Sequence, residues 1–228
     1  MLQLYVNQQV DSAVECRTAL IVDDDISLCL LIGQSLVESN QNLLVFCSEN
    51  AENALKCADH LYFDLLVADM DMPDLPGDQL LNSFRRKSPS THLIAMTGHG
   101  GDYLYRAGFI RPHGFFAKSP DMTPFLEMVN LGLSESEKRR KLLSWGNRFS
   151  NMDPQTAAIS ESQGGTTLRE YMGYSRREFQ ISRQRTMALA LLKTGMEEET
   201  VGKQVYHDTQ AMKRSLSDLF DLCQVTLK

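Results

Sequence analysis

At 228 residues the chain has room for one or two domains, and a hydrophobic content of 43% is enough for ordinary cores. A net charge of −6 excludes a broadly basic polyanion binder. With no run of 18 apolar residues and no basic segment leading into an apolar one at the start, the expectation is a cytoplasmic protein with no membrane partner. The charge is uneven, at −7 over residues 1–145, −1 over 146–175 and +2 over 176–228. The five cysteines form no CxxC pair and lie in apolar runs, as buried reduced thiols do.

In chain order, residues 1–17 read as an N-terminal extension packing loosely, with Leu2, Leu4 and Val6 alternating weakly. Thr18 to Val22 is a strand that runs into three acids, Asp23, Asp24 and Asp25. Apolar residues from Leu28 to Val37 recur at helical spacing as far as Asn40. Leu43 to Cys47 is a buried strand, and Ser48 is placed to cap a helix with a small-residue face, Ala51, Ala54 and Ala58. Leu65 to Ala68 forms the next strand and carries Asp69 at its end, because Pro73 has no N–H with which to prolong a ladder. The loop to Gly77 holds two prolines, and the helix after it ends in a basic tip, Arg85-Arg86-Lys87, suited to a helix C-terminus. Strands His92 to Thr97 and Gly114 to Ala117 then deliver a hydroxyl, Thr97, and an ammonium, Lys118. Between them Gly98 to Gly101 is loose and Pro112 breaks any helix, so the connecting helix is expected to be short. A last helix is predicted over residues 123–133. Ser134 to Glu137 reads as a fresh cap leading into Lys138-Arg139-Arg140-Lys141, a charged face.

Acids, a hydroxyl and a lysine thus fall at successive strand ends. In an open α/β sheet that edge is where ligands collect, and clustered carboxylates call for a hard cation such as Mg²⁺. This order and spacing resembles the receiver domain of two-component response regulators, over residues 18–145. The resemblance implies a doubly wound, five-stranded parallel sheet with Asp69 as phosphoacceptor. It implies Mg²⁺ held by Asp23, Asp24 and Asp69 with the main-chain carbonyl of Asp71, and Thr97 and Lys118 as phosphoryl contacts. Phe115 matches the family's switch aromatic and is equally consistent with a core aromatic. The chain departs from the family at residues 109–113, which are extra, and at Ser119, which stands between Lys118 and Pro120 where the family has proline directly after the lysine.

Residues 146–175 are polar, with Pro154 and Gly164-Gly165, and read as a linker. Over 176–228 three helices are expected, the first capped by Ser182 and ended by Gly195, the second from Met196 to Val205, the third capped by Asp208. In this register Gly195, Val201, Gly202, Val205, Asp208, Ala211, Met212, Lys213 and Leu219 resemble the LuxR-type helix-turn-helix, an all-α domain. The departures are the acidic run Glu197 to Glu199, Ala211-Met212 for Thr-Val, and Ser215 for histidine. The resemblance implies DNA contacts from Lys203, Thr209, Gln210, Lys213, Arg214 and Ser217.

Two functions follow from the resemblance. In the first, a histidine kinase or phosphotransfer protein phosphorylates Asp69, and the chain, as a homodimer on activation, controls transcription through its tail. In the second, the helical tail no longer binds DNA and the chain is a phosphorylation-gated adaptor. An independent enzyme is not expected, since no nucleophile–base pair or nucleotide loop lies outside the receiver site and at most a slow autodephosphorylation is implied.

Overall fold

The computed structural model describes residues 2–98, 111–152, 176–223 and 225–226. Five parallel strands form its centre: β2 (Arg17–Val22), β3 (Leu43–Ser48), β4 (Leu65–Asp69), β5 (His92–Thr97) and β6 (Gly114–Ala117). The near-continuous burial of β2 to β5 is that of strands covered on both faces, while β6, at the sheet's edge, is buried only at Phe116. Two strands extend this sheet beyond the expected five. β1 (Leu2–Val6) runs antiparallel to β3, and the two-residue β7 (Val225–Thr226) runs parallel to β1, giving the order β6-β5-β4-β2-β3-β1-β7. The extension expected to pack loosely is therefore partly a strand. Its weak alternation was the signal, since Leu2, Leu4 and Val6 all turn inward onto the core.

One face of the sheet is covered by α1 (Ile26–Ser39) and α4 (Thr123–Met152), which pack Ile32, Leu36, Phe125 and Val129 onto it. The other is covered by α2 (Ala51–Cys57) and α3 (Gly77–Lys87). Helix α1 starts at Asp25, whose carboxylate accepts from Ser27 N and Leu28 N. Asn50, rather than Ser48, caps α2 by accepting from Asn53 N. The break expected after residue 133 is absent, because α4 runs unbroken to Met152, past the start assigned to the linker, and Ser136 is buried against the fold. Residues 153–175 of that linker and residues 99–110, with the short connecting helix and the first two residues of the expected insertion, lie outside the described residues.

The carboxy-terminal segment folds as α5 (Arg176–Lys193), α6 (Glu198–Val201), a π-helical turn over Gly202–Tyr206, and α7 (Thr209–Leu222). Gly195 ends α5 at φ 89°, with its N–H on Leu192 O and that of Met196 on Leu191 O, a pattern that L side chains resist. A β-carbon on Gly202 would lie 2.5 Å from Thr209 Cα, so glycine permits the close approach of α7 to the preceding turn. Ser182 lies inside α5 and is not its cap; its buried Oγ accepts from Tyr62 N at 2.7 Å. Leu189, Met212, Leu216 and Leu219 join the core formed by α2, α3 and the sheet, so the tail and the sheet share one apolar interior.

Candidate functional site

The parallel strands bring the predicted residues to one edge. Asp23 follows the last residue of β2, Asp69 ends β4, Thr97 ends β5, and Lys118 follows β6 with its N–H on Thr97 O at 2.7 Å. Lys118 Nζ lies 2.9 Å from Asp69 Oδ2 and 2.8 Å from Asp23 Oδ2. Ser119 therefore does not hold the lysine away from the acids. Asp23 and Asp69 are buried while Asp24 is exposed, and one carboxylate oxygen from each lies within 4.8 Å of the others.

Three carboxylates face one ammonium here, and the imbalance is legible in the acid–base properties. Burial pushes the Asp23 carboxyl above its usual range, against the opposing pull of Lys118 and of Asp25 N–H. Burial also works against the Lys118 charge, but hydrogen bonding and attraction from Asp23 and Asp69 outweigh it, and its pKa is raised. Asp23 Oδ2 has the lysine as an ion-pair partner but, among the described residues, accepts no well-aligned hydrogen bond. Asp69 Oδ1 accepts only a long bond, 3.3 Å, from Asp71 N. A buried, under-satisfied pair of acid oxygens beside a third carboxylate is a donor set that suits an octahedral, oxygen-seeking cation.

The loop after Asp69 is held close by Gly77, whose N–H reaches Met70 O at 3.4 Å. A β-carbon there would fall 2.0 Å from Asp69 O, so no other residue fits without moving the acid's own peptide. Asp71, from which a main-chain carbonyl was expected, sits exposed on this loop. Thr97 is fully buried, and Phe115 is half-buried against the α2–α3 core, one strand position from Phe116, which stacks at 5.0 Å on Phe125 of the other face.

The residues expected at DNA are not gathered at this edge. On α7, Gln210, Lys213 and Arg214 are exposed, while Thr209 and Ser217 are half-buried. Lys213 pairs with Glu198 at 2.6 Å, and Lys203 pairs with Glu199. The acidic run thus occupies both lysines.

Sequence reasoning passed over a second buried charge pair. Asp64, at the start of β4, accepts from Arg183 Nη2 of α5 at 3.0 Å through both oxygens and from Thr18 N at 2.9 Å. Arg183 also donates to Cys16 O at 2.8 Å and lies 4.8 Å from the Phe179 ring centre. An arginine in the middle of a helix carries no local sign of a partner 119 residues away.

The family model of the response regulator receiver domain matches residues 19–130. A response regulator receiver protein of Anaeromyxobacter sp. (strain Fw109-5) is 31% identical over 104 residues, covering 46% of this chain and 42% of that protein. The transcriptional regulatory protein NatR of Bacillus subtilis (strain 168) is 30% identical over 96 residues, 42% of this chain and 41% of NatR. The matched segment thus spans about two-fifths of these relatives. The signal receiver domain of an HD domain-containing protein from Pseudomonas fluorescens Pf-5 has the same fold, with a TM-score of 0.52 at 21% identity over 58% of this chain and 97% of that one.

Proposed function

Because residues 19–130 are a response regulator receiver domain, we propose that the chain accepts a phosphoryl group on Asp69 from a histidine kinase or phosphotransfer protein and uses the modification to control its helical tail. The observation that carries this reading is the placement of Asp69 and Asp23 about a single lysine at the sheet's carboxyl edge. In the transfer an Asp69 oxygen bonds to phosphorus as the donor's bond to phosphorus breaks. The phosphoryl oxygens then offer Lys118 a stronger partner than the carboxylates it now bridges, and Thr97, at the end of the adjacent strand, a hydroxyl contact. Asp23, Asp24 and Asp69, with the Asp71 carbonyl, would hold Mg²⁺, which when bound supplies positive charge that offsets repulsion between the acids and the incoming group. Enzymatic activity beyond slow loss of the phosphoryl group forms no part of this reading.

For output we favour DNA binding as a dimer through a helix-turn-helix made of α6, the π-helical turn and α7. Gly202 against Thr209 gives the tight helix approach that such a unit needs, and Gln210, Lys213 and Arg214 lie exposed in the first turns of α7. NatR, a transcriptional regulator by name, is consistent with that output. The second reading, an adaptor that binds protein, is favoured by the Glu198–Lys213 and Glu199–Lys203 pairs, which neutralise the cations meant for phosphates.

A radiolabelled small acyl phosphate with Mg²⁺ is expected to label the wild type and leave Asp69→Asn unlabelled; equal labelling of both removes the assignment. Retention of a random-sequence duplex, with a salt-dependent affinity, separates DNA binding from the adaptor.

A further inference from the structure

Two basic motifs, the tip of α3 and the run beginning at Lys138, meet at the opposite edge of the sheet from Asp69. Between them lie His92, the first residue of β5, and His113, just before β6, stacked at 4.6 Å with their ring planes 24° apart. The hydrogen bonds of this corner leave donors without acceptors. Leu93 N–H donates to His113 Nδ1 at 2.8 Å, so in the neutral ring the proton sits on Nε2. That Nε2 faces Arg139 Nη1 at 3.4 Å, and both groups are donors, while Arg139 Nη2 lies 3.5 Å from His92 Nδ1, a ring nitrogen able to accept from it. Arg85 gives its Nη2 to Arg111 O, but its buried Nε has no acceptor among the described residues.

The charges lead to the same conclusion. Desolvation, the neighbouring His92, Arg139 and Arg85 hold His113 down to about 4; desolvation and Arg139 hold His92 to about 4. Two guanidinium groups therefore act on one neutral ring. Glu135, the acid whose charge reaches His92 and Arg139, is bound by Lys138 at 2.9 Å. Among the described residues, Arg139 Nη1, His113 Nε2–H and Arg85 Nε are left as N–H donors without an acceptor in a positive field, Arg85 Nε being buried as well; an oxyanion completes such a set, and arginine's planar fork suits one with several oxygens.

We propose that this corner is a binding site for a phosphate-type oxyanion, with Arg85 Nε, Arg139 Nη1 and His113 Nε2–H as its donors. The same chemistry is offered by free phosphate and by a phosphodiester backbone, and none of the three donors belongs to the Asp69 cluster.

The test follows the imidazole resonances of the full chain by NMR. Titrations in sodium chloride and in inorganic phosphate at equal ionic strength should differ for His92 and His113 alone. Both midpoints rise by about one pH unit in phosphate, as an opposite charge in contact requires, while His60 and His207 do not move. A short DNA duplex added at neutral pH, which shifts the same two resonances saturably when phosphate does not, assigns the site to a backbone phosphate. Identical titrations in chloride and phosphate, together with no response to duplex, overturn the proposal. In an Arg85→Gln, Arg139→Gln variant the dependence on phosphate is lost. Should that variant fail to fold, Arg139→Lys, which keeps the charge and removes the fork, must still weaken the phosphate shift, and an undiminished shift counts against the site.

Discussion

Strand β4 has a buried aspartate at either end of its run, and the two differ in how fully they are satisfied. Asp64, at the start, receives Arg183, Thr18 N–H and the Thr18 hydroxyl, all within 3.2 Å. Asp69, at the finish, has one lysine, shared with Asp23, and one long backbone bond. A carboxylate whose lone pairs are filled by rigid donors locks two segments together, while one left short of donors is poised to exchange partners. The six residues from Asp64, just ahead of β4, to Asp69 at its end thus carry a clamp for the tail at one end and an under-satisfied acid at the other.

The largest effect that separates the two ends is on phosphoryl acceptance. Asp69→Asn should abolish labelling by a small phosphodonor while the folded baseline in circular dichroism is unchanged. Asp64→Asn should still be labelled, since it lies at the far end of the strand and touches no residue of the acceptor cluster. Loss of labelling in both would mean that the ends are not chemically distinct.

Stability should show the reverse order. Asp64→Ala leaves the Arg183 guanidinium with Glu15, 2.7 Å away and half exposed, as its remaining carboxylate, so the loss of the buried partner should cost about 3 kcal/mol, the low end for a broken buried pair. Urea unfolding measures this as a lowered midpoint. Replacing both partners by apolar residues, Asp64→Leu with Arg183→Met, should recover most of the loss, because no charge is then stranded. If the double variant is no better than the single, the pair is not what fastens α5 to the sheet.

A smaller, pH-dependent effect belongs to the same edge as Asp64, whose carbonyl accepts from His92 N at 2.9 Å. The His92 ring is buried, with desolvation and Arg139 lowering it from 6.5 to about 4. The unfolded chain therefore takes up this proton before the folded one does. Stability is full above pH 6.5 and falls as pH drops towards 4, by up to ~3 kcal/mol from this ring. Urea midpoints across that window should lose part of their slope in His92→Phe; an unchanged slope would assign the acid sensitivity elsewhere.

The carboxyl edge was legible in the sequence because each of its residues lies at or just past a strand's end, and those ends are marked locally by apolar runs and, after Asp69, by Pro73. Asp23, Asp69 and Lys118 needed only parallel order to be brought together. The Asp64 end was not legible. Arg183, Ser182 and Tyr62 meet through tertiary packing, and nothing in the pattern around Ser182 distinguishes a helix cap from a buried hydroxyl aimed at another segment's N–H. Of the extra strands, β1 did show in the alternation of Leu2, Leu4 and Val6 but only its antiparallel pairing with β3 makes it a strand, while β7, two residues long, is below the length at which periodicity says anything. The unbroken α4 was missed because Ser134 to Glu137 has the composition of a cap, and burial of Ser136 overrode that preference.

The smallest expected change in stability separates the buried clamp from the ion pairs on the tail's surface. Glu198 pairs with Lys213 and Glu199 with Lys203, all four side chains more than half exposed. Such pairs are screened and contribute roughly 0–1 kcal/mol, so Glu198→Gln with Glu199→Gln should leave the urea midpoint almost where it was. Its consequence lies in binding. With both glutamates neutral, Lys213 and Lys203 become available to phosphates, and each added phosphate contact steepens the dependence of log affinity on log salt by about 0.9. Under the DNA-binding reading the double variant should hold a duplex more tightly than the wild type, with a steeper salt slope, and Lys213→Ala with Arg214→Ala should remove that gain. Unchanged, salt-insensitive behaviour in all three proteins, with and without phosphorylation, would leave α7 as a surface for protein and make the adaptor the function of the tail.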